Sequence, residues 1–129
     1  ALDEATNHLL AGRFNVQLHT NVDVANKLEI DRFTAIVTLF HEHEREIPIL
    51  QQALNSDAFY IAALGSQRSH QQRLEQLLNL GVSAQEAQRI HGPAGLFHGA
   101  RNPRDMAVSI LAELLQQHHQ MVTTLQLRQ

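Results

Sequence analysis

The chain has 129 residues, of which 43% are hydrophobic and 18% are charged, and its formal net charge is -3 with the nine histidines counted as neutral. This length suits one domain with a single core. No apolar run approaches the roughly 20 residues that a membrane-spanning helix needs, and the acidic balance provides no basic face for nucleic acid. We therefore expect neither a membrane nor a nucleic-acid partner.

The sequence contains no cysteine, which excludes a disulfide, a thiolate metal site and a cysteine nucleophile within it. It opens with Ala1, and its first ten residues have neither the basic start nor the continuous apolar stretch of a signal peptide. We therefore expect a piece of a longer cytoplasmic protein.

Three segments in the first half have the pattern of β-strands. Residues 14–19 alternate apolar and polar side chains, as a strand with one buried face does. Residues 34–40 and 59–64 are denser apolar runs, which favour parallel strands covered on both faces. Between these two runs, His43–Leu54 has apolar residues at helical spacing, with Pro48 tolerated only in the first turn. The pattern predicts a βαβ unit.

The second half is predicted to be mostly helical. A helix over residues 67–80 is ended by a glycine, and a capping box at 83–86 predicts a short helix that ends near Ile90. Residues 91–102 are rich in glycine and are predicted to be a loop with a short extended piece. Pro103 begins a long amphipathic helix, and the final segment MVTTLQLRQ is either frayed helix or a short strand.

Alternating strands and helices predict a parallel α/β sheet with right-handed crossovers. Ligands of such sheets bind beyond the carboxyl ends of the strands. Three places are therefore candidates for a site, namely His41 with its neighbours, residues 65–69, and the loop of residues 91–102.

The turn at residues 65–69 (GSQRS) has the residue types of an anion site. A turn from strand to helix exposes unpaired backbone N–H groups and the positive end of the helix dipole, which favour a phosphate. Arg68 adds a forked cation, and Ser66 and Ser69 add hydroxyl groups. A plain serine N-cap after a glycine turn explains Gly65 and Ser66 equally well, so both interpretations stay open.

The other candidate segments have less specific patterns. Residues 41–44 (HEHE) offer imidazoles and carboxylates, but adjacent side chains diverge and no third ligand is evident, so a solvated helix start is favoured over a metal site. The glycines of the loop would let a flat ligand approach the backbone, although an ordered structural loop is favoured. No catalytic triad order, Walker loop or GxGxxG occurs. We expect no catalytic residues and no metal ligands.

Three segments together resemble the C-terminal domain of the XdhC/CoxI family of xanthine dehydrogenase accessory proteins. They are AIVTLFHEHEREIPILQQAL at 35–54, YIAALGSQRSHQQRLEQLLNLG at 60–81 and RIHGPAGLFHGARNPRDMAVSILAELL at 89–115. The last is the most specific, because its order of glycines, prolines and the AVSI and AE elements is not a general Rossmann feature. The resemblance implies that residues 1–129 form a Rossmann-like three-layer domain, with helices on both faces of the sheet and without its opening βα unit.

The resemblance also implies a function. Members of this family bind the molybdenum cofactor, protect it while its terminal sulfur is installed, and deliver it to apo-hydroxylases of the xanthine dehydrogenase type. This chain would be a molybdenum cofactor (molybdopterin) chaperone rather than an enzyme, with such an apo-hydroxylase and a cysteine desulfurase as partners. By position in the family's pattern, its cofactor-binding residues would be His41, Gly65, Ser66, Arg68, Pro93, Gly95, Leu96 and Arg101.

Two places depart from the family's pattern. Phe97 and His98 stand where an aspartate and an aliphatic residue are usual, which removes a carboxylate from the loop. Gln67 stands where arginine or lysine is usual, which makes the anion site less cationic.

Two other functions remain open. The chain could belong to an NAD(P)-dependent oxidoreductase whose glycine-rich loop lies outside it, or it could be an interaction domain that only docks a hydroxylase or a cysteine desulfurase. Without an opening βα unit, residues 34–40 would also have an unpaired apolar edge. We therefore expect association with the remainder of its own protein or with a second copy as a homo-oligomer.

Overall fold

A computed structural model describes residues 30–40, 43–97 and 102–127. Within these ranges three parallel strands form one sheet in the order β1-β2-β3, and four helices surround it. The strands are β1 (Ala35–Thr38), β2 (Tyr60–Ala63) and β3 (Ile90–His91), and the helices are α1 (His43–Leu54), α2 (Gln67–Asn79), α3 (Ala84–Ala87) and α4 (Pro103–Leu127). None of the helices in these ranges combines the length and the apolar character that crossing a membrane requires.

The central strand β2 is buried along its whole length. It pairs in parallel with β1 on one side and with β3 on the other, as its dense apolar run predicted. Because successive side chains of a strand point to opposite faces, Ile61 and Ala63 lie on one face of the sheet and Tyr60 and Ala62 on the other. The strand therefore contributes to two separate packing layers.

The main apolar core lies between the sheet and helices α1 and α2. Leu50 and Leu54 of α1 and Leu77 of α2 pack with Ile61 and Ile90 of the strands. Leu50 and Leu77 are completely buried. Full burial of such a side chain contributes about 1.5–3 kcal/mol, so this layer contributes substantially to the hydrophobic stabilisation.

Helix α4 covers the opposite face of the sheet. The Tyr60 hydroxyl donates to Glu113 Oε1 at 2.5 Å, and Ala107 and Ile110 of the same helix are buried. Helices thus pack on both faces, and the predicted three-layer α/β arrangement is confirmed.

The short helix predicted to end near Ile90 is wrong at its end. Ser83 caps α3 by accepting from the Glu86 N–H at 3.1 Å, as the capping box predicted, but α3 has four residues only. Ile90 instead belongs to β3 and pairs with Ile61. Pairing with the buried central strand hides the Ile90 side chain, and this tertiary contact outweighs the local helical pattern.

The structure decides two more local predictions, which are the position of Pro48 in α1 and the conformation of the final segment in α4. Pro48 lies inside α1, beyond its first turn, so the expected position is wrong. Pro48 has no N–H, so the carbonyl of Glu44, four residues earlier, loses its helical hydrogen bond. Both residues are exposed, so solvent can reach this carbonyl. The final segment is helical as far as Leu127.

Within the described residues, β1 is one of the two edge strands of the sheet, and β3 is the other. Within the described residues β1 pairs only with β2. The strand predicted at 14–19 lies outside the described residues. Association of this edge with another chain therefore stays a prediction.

A buried ion pair joins α1 to α2. Arg73 Nε donates to Glu46 Oε1 at 2.5 Å, and both side chains are completely buried. The other carboxylate oxygen of Glu46 accepts from Thr38 Oγ1 at 3.2 Å. Arg73 Nη2 donates to the carbonyl of Leu64 at 2.8 Å, and Nη1 lies 2.8 Å from His70 Nδ1. This network therefore joins the end of β1, both helices and the end of β2.

We predict that Glu46→Ala lowers the free energy of unfolding by about 3–5 kcal/mol, because it leaves the Arg73 guanidinium buried without its counter-charge. Urea denaturation measures the loss. Glu86→Ala is the matched control, since the Arg89–Glu86 pair is 37% and 49% exposed and such pairs contribute less than about 1 kcal/mol. Equal losses in the two variants would contradict the prediction.

Candidate functional site at the carboxyl edge of the sheet

Two glycine-containing segments meet at the carboxyl edge of the sheet. Residues 65–69, here called the Gly65 turn, follow β2, and residues 92–97, here called the Gly92 loop, follow β3. The Ala94 N–H donates to the carbonyl of Ala63, the last residue of β2, at 3.0 Å. This bond places the Gly92 loop over the end of the central strand and beside the Gly65 turn.

The Gly65 turn is built by a glycine and a serine cap. Gly65 has φ +142°, a conformation that side-chain-bearing residues rarely adopt. Ser66 is the N-cap of α2, and its Oγ accepts from the Ser69 N–H at 3.1 Å. The capping interpretation of the sequence is therefore confirmed.

The cap leaves part of the helix end open to solvent. The first N–H groups of a helix have no acceptor within it, and no described hydrogen bond uses those of Gln67 and Arg68. Both residues are exposed, as are Gly65 and Ser66. Capping and anion binding are therefore compatible at this turn.

Helix α4 holds the Gly92 loop through its backbone. The Leu96 N–H donates to the Ser109 carbonyl at 3.0 Å, the Phe97 N–H donates to Ser109 Oγ at 3.0 Å, and Ser109 Oγ donates to the Phe97 carbonyl at 2.8 Å. One helical turn further on, Glu113 Oε1 accepts from the Gly95 N–H at 3.1 Å. The loop is thus fixed by two α4 residues at i and i+4.

Ser109 and Glu113 did not appear among the predicted site residues. The signal that could have found them is their i, i+4 spacing within the AVSI and AE elements of α4, next to a glycine loop. What that spacing could not reveal is which backbone groups the two side chains bind.

Close approach explains two glycines of the loop. Gly95 has φ +120°, and a Cβ atom added to it would overlap the Ser109 hydroxyl. A Cβ added to Gly92 would overlap the ring of His70 in α2. The backbone of the Gly92 loop therefore packs directly on side chains of both α2 and α4.

The loop presents apolar side chains to solvent. Leu96 is 52% exposed and Phe97 is 48% exposed. Because the backbone hydrogen bonds of both residues go to Ser109, these side chains project from a fixed backbone.

A polar cluster lies beneath the loop. Glu113 accepts from both Tyr60 and Gly95, and its Oε2 lies 3.6 Å from His91 Nδ1. The rings of Tyr60 and His91 are 5.1 Å apart. Burial, and then the Glu113 carboxylate, raise the pKa of Tyr60 far above its usual value. Tyr60 is therefore a protonated hydrogen-bond donor that orients the loop-binding carboxylate.

The predicted site residues fall into two groups. The described ones all lie in the Gly65 turn or the Gly92 loop, and they are Gly65, Ser66, Arg68, Pro93, Gly95 and Leu96. His41 and Arg101 lie outside the described residues. The cofactor-binding role of all eight stays a prediction, and so does the absence of a bound metal, although the described part of the chain contains no group of three or more potential metal ligands.

A separate groove of about 510 Å³ lies near the amino ends of the strands, opposite the Gly65 turn and the Gly92 loop. Arg32, Asp57 and Phe59, which precede β1 and β2, line it together with the second half of α4. It shares no residue with the Gly65 turn or the Gly92 loop.

The order of these elements along the chain can be compared with known proteins. The family model described as the XdhC Rossmann domain matches residues 2–114. The chain belongs to this family. The match includes β1, β2, β3, the Gly65 turn and the Gly92 loop, and it confirms the resemblance seen in the sequence.

Curated relatives of this XdhC domain include two proteins of Escherichia coli (strain K12). The chain is 44% identical over 86 residues to the molybdenum cofactor insertion chaperone PaoD. This match covers 67% of the chain and 27% of PaoD. It is 34% identical over 86 residues to the uncharacterized protein YqeB. This match covers 67% of the chain and 15% of YqeB.

A solved structure has the same fold. The chain matches the crystal structure of a xanthine dehydrogenase from Bacillus halodurans with a TM-score of 0.60 and 26% identity. The match covers 76% of this chain and 27% of that one. The XdhC domain thus spans about a quarter, or less, of the length of these relatives.

We predict that the one tyrosine of the chain does not ionise at its usual pH while the protein is folded. Because its folded pKa is raised, the stabilisation from protonated Tyr60 is present below pH 10.0 and is lost as the pH rises further. Ultraviolet absorbance of tyrosinate measures this for a single residue, since the sequence has one tyrosine.

Glu113→Gln is the control for this titration. It removes the carboxylate, so tyrosinate should form at a lower pH than in the unchanged protein, while burial still keeps the pKa of Tyr60 raised. Ionisation near pH 10.0 in the folded, unchanged protein would contradict the geometry of this cluster.

We predict that Gly95→Ala disrupts the Gly92 loop and that Gly81→Ala does not. Both glycines have positive φ, at +120° and +94°, so both variants carry backbone strain of about 1 kcal/mol or more. A Cβ at Gly81 meets nothing within 4 Å, whereas one at Gly95 displaces Ser109. Amide hydrogen exchange of residues 95–97 should accelerate in Gly95→Ala only. Equal acceleration in both variants would show that strain alone is responsible.

Proposed function

We propose that this XdhC domain holds the molybdenum cofactor for insertion into a molybdenum hydroxylase of the xanthine dehydrogenase type. The observation that carries the proposal is the 44% identity with the molybdenum cofactor insertion chaperone PaoD over 86 residues. On this proposal the domain is a carrier and not an enzyme, and the cofactor is its cargo. The relatives do not favour the alternative of an NAD(P)-dependent oxidoreductase.

The chemistry of the carboxyl edge fits a flat pterin that bears a phosphate. The open N–H groups at the start of α2 and the exposed Arg68 suit the phosphate. The Gly92 loop offers close backbone approach and the exposed apolar side chains of Leu96 and Phe97, against which a flat ring can pack. The family pattern also predicts cofactor-binding roles for His41 and Arg101, which lie outside the described residues.

The Gly92 loop is held by hydrogen bonds to α4 of the protein itself, which suits a role in binding a cargo. Ser109 and Glu113 satisfy the N–H groups of Gly95, Leu96 and Phe97. A loop that is already ordered loses little conformational entropy on binding. The protein residues therefore bind and orient the cargo, and the proposal assigns them no chemical step.

The proposal includes partners. An apo-hydroxylase of the xanthine dehydrogenase type would receive the cofactor, and a cysteine desulfurase would act while the cofactor is bound. Self-association or association with the remainder of the protein, and location in the cytoplasm, belong to the same proposal.

The experiment that tests this function is cofactor transfer. The purified chain is mixed with molybdopterin-bound molybdenum, separated by gel filtration and then added to an apo-hydroxylase. We expect the cofactor to elute with the chain and hydroxylase activity to appear on mixing. A chain that retains NADH but no pterin would instead support the oxidoreductase, and a chain that binds the hydroxylase but neither ligand would support an interaction domain.

We predict that Arg68→Ala weakens binding of molybdopterin by about 1.5–3 kcal/mol, because a charge-assisted hydrogen bond to the phosphate is lost. Isothermal titration calorimetry measures the affinity. Arg32→Ala is the matched control, since Arg32 is also exposed but lines the groove near the amino ends of the strands. An unchanged affinity in Arg68→Ala would remove Arg68 from the site.

A further inference from the structure

His70 contacts the guanidinium of Arg73 through one ring nitrogen. Its Nδ1 lies 2.8 Å from Arg73 Nη1, and because a guanidinium can only donate, Nδ1 accepts and Nε2 carries the proton. Burial, and then the charge of Arg73, lower the pKa of His70 to about 4, although Glu46 opposes the shift. The ring is therefore neutral at physiological pH.

The Gly92 loop begins in close contact with the ring of His70. A Cβ atom at Gly92 would overlap three ring atoms of His70, namely Nδ1, Cε1 and Cγ. Only glycine can bring the backbone this close to the imidazole. This contact is on the α2 side of the loop, whereas Ser109 and Glu113 hold the loop from α4.

The same guanidinium that orients His70 also holds the start of the Gly65 turn. Arg73 Nη2 donates to the carbonyl of Leu64, the residue directly before Gly65. Arg73 is itself held by the buried carboxylate of Glu46. A chain of direct contacts therefore runs from the Gly65 turn through Leu64, Arg73 and His70 to Gly92.

We propose that His70 is a positioning residue that joins the Gly92 loop to the Gly65 turn, so that the two segments act as one ligand site. The proposal deepens the proposed function, and its ligand-binding part rests on it. His70 acts through its contacts with Arg73 and Gly92 and need not touch the cargo.

A double-mutant cycle between His70 and Gly92 tests the contact without any ligand. The readout is amide hydrogen exchange of residues 94–97, followed by NMR on the full chain, with amides of α1 as the internal reference for global stability. His70→Ala and Gly92→Ala should each accelerate exchange in the loop on the order of tenfold or more, because the contact between the ring and the loop backbone is lost. The double variant should be no faster than His70→Ala, since the added methyl group then has no ring to displace.

His70→Asn is the conservative variant in this cycle. Its side-chain oxygen can still accept from Arg73 Nη1, so it should retain most of the protection that His70→Ala loses. The proposal is overturned if the exchange rate in the double variant rises by the product of the two single-variant effects. It is also overturned if loop exchange is unchanged in His70→Ala.

Gly92→Ala gives a second measurement that keeps His70 in place. The added methyl group should displace the ring from Arg73, so the His70 ring signals should move and its pKa should rise toward its usual 6.5. Unchanged ring signals and an unchanged pKa in this variant would also overturn the proposal, even if His70→Ala does not fold.

Inorganic phosphate separates the two proposals. In the unchanged chain we expect phosphate to shift the amide signals of Gln67 and Arg68 together with those of the Gly92 loop. In His70→Ala we expect it to shift only the signals of Gln67 and Arg68. Loop signals that still shift in His70→Ala would overturn the coupling through His70. If phosphate moves neither set in any variant, the phosphate site of the proposed function is wrong, while the exchange measurements still decide the role of His70.

Discussion

The guanidinium of Arg73 is completely buried, and a charge in that position costs several kcal/mol unless its partners are all in place. Glu46 supplies the counter-charge, and Leu64 and His70 supply the remaining acceptors. Since these partners belong to α1, the end of β2 and α2, the requirement to satisfy one cation constrains how three elements meet. The carboxyl edge of the sheet, where the candidate site lies, is built around this constraint.

The Gly92 loop depends on both layers of helices. On the α2 side it rests on the ring of His70, and on the α4 side Ser109 and Glu113 bind its backbone. Tyr60, from the central strand, orients Glu113. The loop is therefore held by side chains from elements that lie far apart in the sequence.

Membership of the XdhC Rossmann domain family accounts for the fold, whereas the proposed cofactor binding would depend on particular residues at the carboxyl ends of the strands. The open helix end at Arg68 and the exposed pair Leu96 and Phe97 are the features that suit a phosphate-bearing pterin. The helix end at Arg68 lies next to the buried Arg73 network, whereas Ser109 of α4 holds the backbone of Leu96 and Phe97. On the proposed function, a substitution at Glu46 would therefore weaken binding at the Gly65 turn without contacting the ligand.

The sequence by itself determined the elements whose stability is local or that have a dense apolar pattern. It predicted α1 from His43 to Leu54, the central strand, the parallel three-layer fold, and the two segments that meet at the carboxyl edge, and it left Ser66 open between a helix cap and an anion site. Tertiary structure alone decided that Ile90 is a strand residue, because pairing with Ile61 buries it. It also decided the roles of Arg73, His70 and Glu113, since a buried polar side chain is defined by partners that only folding brings within hydrogen-bond distance.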